Sequence, residues 1–167
     1  MKVGILGSGD VAKALAGGFL KHGHDVMLGT RTPDKLADWV TQNPNGRIGS
    51  FADAAKFAEL VVLAVKGTAA ADALRAAGVA NLAGKPVVDT TNPIADAPPV
   101  NGVLRFFTNL DESLMERLQR EFSDVLRQSL QFRRQCVHGE SAIQGREADD
   151  VHLRQRRGGE KDRERNP

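Results

Sequence analysis

Cysteine occurs once in the 167 residues, at Cys136, so no disulfide can form within the chain and no cysteine-rich metal site can be built. Long apolar runs are missing as well. No stretch approaches the roughly 18 residues that a membrane helix needs. The opening Met-Lys-Val-Gly-Ile-Leu-Gly enters a structured pattern at once, without the shape of a secretory leader. A cytoplasmic protein with no membrane attachment is the expectation. His22 and His24 have no carboxylate or thiol partner at ligand spacing, so no metal site is expected. Aromatics are scarce, at 5%, and do not interleave with basic residues, which argues against stacking on bases. The charge balance agrees. Of 23 Lys/Arg and 21 Asp/Glu, residues 125–167 hold 10 and 7, which leaves the first 124 residues slightly acidic. The positive charge therefore belongs to the tail and is no nucleic-acid footprint of the folded part.

What is present begins with a strand-turn-helix signal. Residues 3–16 read V-G-I-L-G-S-G-D-V-A-K-A-L-A. The apolar run ends in Gly7-x-Gly9, and an Ala/Leu-rich helical pattern follows directly. That context makes a glycine pair a dinucleotide-binding turn. Gly7 permits the tight turn, Gly9 leaves room for a pyrophosphate, and Ala12 stands where helix and strand pack closely. The turn from Gly7 through Ser8, Gly9, Asp10 and Val11 is expected to present its N–H groups to phosphate.

Apolar spacing predicts strands over residues 2–6, 25–29, 47–49, 60–65 and 86–90. Helices are predicted over 10–21, 34–40, 51–59, 69–77 and 112–122. Val11, Leu15 and Phe19, with Ala12 and Leu20 on the flank, form the expected inner stripe of the first helix. Gly17-Gly18 within it implies a close approach by a neighbouring element or a partner. Gly23 is the expected stop, Thr32-Pro33 the next start, Ser50 a cap, and Asp111 or Asn109 a cap for the last helix. The alternation implies an α/β class: a Rossmann-like three-layer fold with a mainly parallel sheet.

The end of the second strand carries the cofactor preference. An NAD-binding domain places Asp or Glu there to accept from the ribose 2′-hydroxyl. This chain offers Thr30, Arg31 and Thr32, with Lys35 one turn along. A carboxylate would repel a 2′-phosphate, whereas Arg31 can stack on adenine and fork its N–H groups onto phosphate, and Lys35 adds a point charge. NADP(H) is therefore favoured over NAD(H). The fourth strand delivers Ala64, Val65 and Lys66 to its carboxyl end, where ligands of open α/β sheets lie. Lys66 meets a ligand anion or is simply solvated. Asn92, at the end of the fifth strand, either orients a carboxamide or closes an Asx turn, and Asp89 holds the loop. Residues 94–104 form a Pro/Ala/Asn loop suited to a lid or substrate wall, with Arg105, Phe106 and Phe107 beside it.

These pieces resemble one family, the NADPH-dependent reductases of the deazaflavin coenzyme F420 and their relatives. The resemblance rests on Gly4-Ile5-Leu6-Gly7-Ser8-Gly9-Asp10-Val11, on Gly29-Thr30-Arg31-Thr32 with Lys35, on Val62-Leu63-Ala64-Val65 and on Val88-Asp89-Thr90-Thr91-Asn92-Pro93. It implies that the glycine turn holds the pyrophosphate, that Thr30, Arg31 and Lys35 hold the 2′-phosphate, and that the exit of the fourth strand meets the nicotinamide half. It also implies hydride transfer between NADP(H) and a deazaflavin or flavin-like acceptor, with positioning as the main demand on the protein. A non-catalytic NADP(H)-binding or sensing protein is the first alternative. A reductase of small substrates, of the imine or hydroxy-acid type, is the second. No catalytic acid or base stands out.

The resemblance stops near residue 124. It calls for a further core strand of the type F-V-K-A-F-N-S-V-G, but from Val125 the chain reads V-L-R-Q-S-L-Q-F-R-R-Q-C-V. Codons can be chosen for residues 126–137 that, read one base later, spell F-V-K-A-F-N-S-V-G-N-A. This points to a frameshift near residues 123–126. The expected organisation is thus an NADP-binding domain over 1–124 with its last core strand missing. A basic tail follows over 125–167, helical across 128–134 and disordered beyond Gly139. The missing strand exposes a sheet edge, which favours homo-oligomers or aggregation.

Overall fold

In the computed structural model the described residues are 1–109 and 111–123, together with the backbone of 129–131. Six strands form one parallel sheet: β1 (Lys2–Leu6), β2 (Asp25–Gly29), β3 (Gly46–Gly49), β4 (Leu60–Leu63), β5 (Val87–Asp89) and β6 (Ser129–Gln131). Their order is β3-β2-β1-β4-β5-β6, so the chain runs outward one way from β1 and then jumps back to run the other way from β4. That reversal, between β1 and β4, is where an open α/β sheet leaves a crevice at its carboxyl edge.

The helices are α1 (Asp10–Lys21), α2 (Ala37–Gln42), α3 (Phe51–Phe57), α4 (Ala70–Ala77), the single turn α5 (Val79–Leu82) and α6 (Leu114–Glu121). Two apolar layers show that both faces of the sheet are covered. Val3, Ile5, Val26, Leu28 and Val62 pack with Ala12, Ala16, Leu36 and Trp39 on one face. Leu6, Val61, Leu63 and Val87 pack with α3, α4, α5 and α6 on the other. Alternation along β4 sends Val62 one way and Val61 and Leu63 the other, which explains why a doubly covered strand reads as an unbroken apolar run. Gly4 lets α3 settle on β1, since a β-carbon there would lie 2.2 Å from the Ala54 carbonyl oxygen.

Several expectations need correction. The inner face of α1 is Ala12 and Ala16, both fully buried, with Leu15, Phe19 and Leu20 on its flanks, while Val11 is 41% exposed. The small residues win that face because it lies close against the sheet, where a branched side chain has no room. Gly17 and Gly18 mark no close approach among the described residues, as a β-carbon on either meets none of them within 4 Å. The last helix is capped by Ser113, in a capping box with Glu116, rather than by Asp111 or Asn109. Residues 129–131 pair with β5 as a strand where a helix was expected, and they add a short sixth strand beyond the boundary expected at residue 124. The tail beyond Gly139 lies outside the described residues.

Candidate functional site

Three strand ends, β1, β2 and β4, are tied together at the crevice. The Gly7 N–H donates to the Gly29 carbonyl at 2.9 Å, and the Ala64 N–H donates to the Leu6 carbonyl at 2.9 Å. Gly7 has φ +147°, and a β-carbon on it would lie 2.2 Å from the Ala64 carbonyl oxygen. Glycine is needed there for the backbone angle and for the pass against the β4 exit. Gly9 is different. Among the described residues a β-carbon there meets nothing within 4 Å, which leaves space above it. Helix α1 starts just beyond with Gly9 as N-cap and no side-chain cap. Its first N–H groups are left for solvent or a ligand. The open space and the uncapped 12-residue helix fit a pyrophosphate. Ser8 is half-buried beside it, and Asp10 and Val11 are exposed. The Asp10 carboxylate stabilises the helix start through the helix dipole, and it is the one charge of the turn that opposes a phosphate.

The β2 exit presents a cation. Thr30 is 5% exposed, its N–H donates to the Gly49 carbonyl at 3.0 Å, and its Oγ1 accepts the Thr32 N–H at 3.0 Å. The Thr30 hydroxyl thus shapes the loop, while Arg31, Thr32 and Lys35 are exposed beyond it. Lys35 lies on a single 3-10 turn, Pro33–Leu36, that leads into α2. A cleft of about 320 Å³ opens between this exit and α4, lined by Arg31, Phe51, Val65, Ala69, Asp72, Ala73 and Ala76. It brings Arg31 and Val65, expected at the two sides of a cofactor, to one cavity. Apart from Arg31 and Asp72 its lining side chains are apolar.

The β4 and β5 exits touch through their backbones. A β-carbon on the buried Gly67 would lie 2.1 Å from the Asn92 carbonyl oxygen. Thr90 donates both its N–H, at 3.0 Å, and its hydroxyl, at 2.9 Å, to the Leu63 carbonyl. Ala64 is buried, Val65 half-buried, and Lys66 and Asn92 exposed. Asp89 is 1% exposed, and its Oδ1 accepts the Thr91 N–H at 2.8 Å, which closes the turn as expected. Burial pushes its pKa above the ordinary carboxylate value, and the Thr91 N–H works against that rise. Its Oδ2 and the Thr91 Oγ1 are buried without a partner among the described residues.

From β5 the chain rises into a hairpin over residues 93–107. The Phe107 N–H donates to the Pro93 carbonyl at 2.9 Å, and Val100 and Val103 exchange both bonds at 3.0 Å across Asn101 and Gly102, at φ 51° and 78°. Two positive φ values in a row at Asn-Gly make the tight turn that suits strand twist. Asp96 ties this arm down. It accepts from the Thr68 hydroxyl at 3.0 Å and from Lys66 Nζ at 3.4 Å. The Thr68 bond, and then Lys66, hold its carboxyl below the ordinary range. Lys66 is thus a solvent-exposed side chain, 81% open, that reaches Asp96 across the β4 exit. Phe51, Asp72 and Asp96 have no motif in the sequence, because each reaches the site only through the sheet order and the arm.

Among the described residues no three His, Cys, Asp or Glu gather as a metal would need, and no helix is long and apolar enough to cross a membrane.

Residues 2–93 match the family described as NADP oxidoreductase, coenzyme F420-dependent. The chain belongs to this family. Among solved structures it is similar to a protein from Arthrobacter sp. FB24 provisionally named an F420-dependent NADP-reductase. The TM-score is 0.71 at 36% identity, over 78% of this chain and 61% of that one. An imine reductase from Streptomyces aurantiacus matches with TM-score 0.57 at 19% identity, over 78% of this chain and 40% of that one. A reductive aminase from Aspergillus terreus, solved with NADPH and ethyl-5-oxohexanoate, gives 0.56 at 24% identity, over 78% and 39%. These last two share the fold. The family member spans about 61% of the Arthrobacter protein and about 40% of the other two. No curated protein matches it.

Proposed function

We propose that this chain binds NADP(H) along the carboxyl ends of β1, β2 and β4, and that the reaction it derives from is hydride transfer to a deazaflavin or flavin-like acceptor. The observations that carry the reading are the cleft shared by Arg31 and Val65 and, at the β1 exit, the uncapped glycine turn. The first three residues past β2, Thr30, Arg31 and Thr32, bring no carboxylate to oppose a 2′-phosphate.

In this reading the first-turn N–H groups of Asp10 and Val11, with Gly7, Ser8 and Gly9, hold the pyrophosphate. Arg31 lies over the adenine and donates to the 2′-phosphate, and Lys35 adds charge there. Thr30 and Thr32 fix the loop that aims Arg31. Phe51, Val65 and Ala69 give the adenine an apolar bed. Ala64 and Lys66, next to Val65 on the β4 exit, lead toward the nicotinamide half, with the Asn92 amide near its carboxamide. NADPH, when bound, supplies the hydride, so the residues are asked for position and exclusion of water, not for a proton.

The second reading is a protein that binds NADP(H) without turnover, since the fold that holds the cofactor does not by itself fix a reaction. Calorimetry with NADPH and NADH tests the binding, and we expect a clear preference for NADPH. Arg31→Ala should narrow it by about 1–2 kcal/mol, roughly fivefold to thirtyfold. Equal affinity for the two cofactors would remove the 2′-phosphate assignment. NADPH oxidation across a panel of F420 and flavin acceptors then separates the two readings: turnover supports the reductase, and binding without oxidation supports the alternative.

A further inference from the structure

The cleft has two charged side chains, and they are of opposite kinds. Arg31 can only donate, and the Asp72 carboxylate can only accept. The remaining lining, Phe51, Val65 and small alanines, offers side chains without a polar group. Asp72 lies in the first turn of α4, and its Oδ1 accepts from Arg75 Nη1 at 2.6 Å. Arg75 also pairs with Glu121 of α6, so the guanidinium that holds the carboxylate is itself anchored to a second helix. An acid in the first turn of a helix with a basic residue three positions on is ordinary surface chemistry. What sets Asp72 apart is its place: it lines the cleft with its side chain 75% open to solvent, its Oδ1 engaged by Arg75 and its Oδ2 open to another donor among the described residues.

We propose that Asp72 is the base-reading residue of the cofactor site, its carboxylate accepting from the exocyclic amine of adenine. This rests on the reading of the cleft given above and adds a specificity to it. A ligand that satisfies both charged walls must carry an anion at the Arg31 end and an N–H donor at the Asp72 end, with an apolar plane between. An adenosine with a 2′-phosphate meets all three demands. A purine with a carbonyl at the same carbon turns a lone pair toward the carboxylate and is rejected.

The test compares NADPH with its hypoxanthine analogue, reduced nicotinamide hypoxanthine dinucleotide phosphate, by calorimetry on the full chain. We expect NADPH to bind about fivefold to tenfold more tightly, a margin in keeping with one hydrogen bond to an open carboxylate. Asp72→Ala should bring the ratio close to one. The ratio is the informative quantity. Removing a negative charge near the phosphates alters both affinities alike, and so does a small change in stability, whereas loss of a base contact alters only one. Arg31→Ala serves as the companion variant. It should weaken NADPH relative to NADH and leave the adenine-to-hypoxanthine ratio in place. Equal binding of the two bases by the unmodified chain overturns the proposal, as does a preference that survives Asp72→Ala. If neither nucleotide binds at all, the reading of the cleft as a cofactor site falls, and the assignment of Asp72 falls with it. If NADPH binds without discrimination between the bases, the cofactor reading stands and only Asp72 is wrong.

Discussion

At the scale of single residues, the chemistry turns on which side chains are free and which are spent. Thr30 and Arg31 are neighbours in sequence, yet Thr30 is buried in a bond to Thr32 while Arg31 is exposed in the cleft. Asp89 is the buried acid of the β5 end. Its folded pKa is raised by burial, so its contribution to stability is fully present below the ordinary value of 3.8 and is lost as pH rises through the raised value. Above that window the chain keeps a buried charge. Asp89→Asn retains an Oδ1 acceptor for the Thr91 N–H and removes the charge. Urea midpoints at pH 4 and pH 7 should show the variant gaining on the parent as pH rises, with the higher midpoint at pH 7. An unchanged gap between the two pH values would show that the charge is compensated. The fingerprint residues were legible because each answers a local demand: Gly7 a positive φ, Ala12 a tight helix contact, Thr30 to Thr32 the end of a strand. The places of Asp72 in the cleft and of Asp96 against Thr68 were not, since nothing within a few residues of either sets it apart from any other surface carboxylate.

At the scale of elements, the hairpin over 93–107 is the part that the sequence described least well. Its Pro and Ala content reads as a plain loop, and only the Asn101-Gly102 pair signals a tight turn. The bond from Thr68 to Asp96 spans 28 positions, beyond any periodicity argument. Beyond this latch the arm is held by its own backbone bonds at base and tip and, at its end, by Phe107, which packs on the core and whose carbonyl accepts from Arg117 Nη1 at 3.4 Å; Val103 and Phe106 are 67% and 60% exposed. Asp96→Asn weakens the acceptor shared by Thr68 and Lys66. We expect trypsin to cut after Arg105 about threefold faster in that variant, because the cut requires the Ala95–Arg105 pairing to open. Mass spectrometry of the early fragments reads this directly, and an unchanged rate would show that the latch holds nothing. The strands and longer helices, by contrast, were legible to within a few residues. Their periodicity is fixed by burial against the two faces of one sheet, a demand that every turn of the chain repeats. The inner face of α1 was misread for the same reason in reverse: spacing alone does not say that the sheet lies too close for Val11.

At the scale of the whole molecule, the sheet is complete from β3 to β5 and is extended by β6 over only three residues. That short strand falls where the family resemblance calls for a longer core strand, and within the segment that a one-base shift rewrites. Sequencing the gene is the check: the codons for residues 126–137, read one base later, should spell a strand like F-V-K-A-F-N. If neither shifted frame gives such a segment, the tail is this chain's own. The sheet order has a consequence for synthesis as well. Every strand end and helix start of the candidate cofactor site lies between Met1 and Asn92, and the strands are laid down from the centre outward on each side of β1. A ribosome therefore releases the whole nucleotide crevice before it reaches the codons in question. A change of frame there comes too late to alter the side chains that would meet a dinucleotide. It falls instead on the far flank of the sheet, in the last of the described strands.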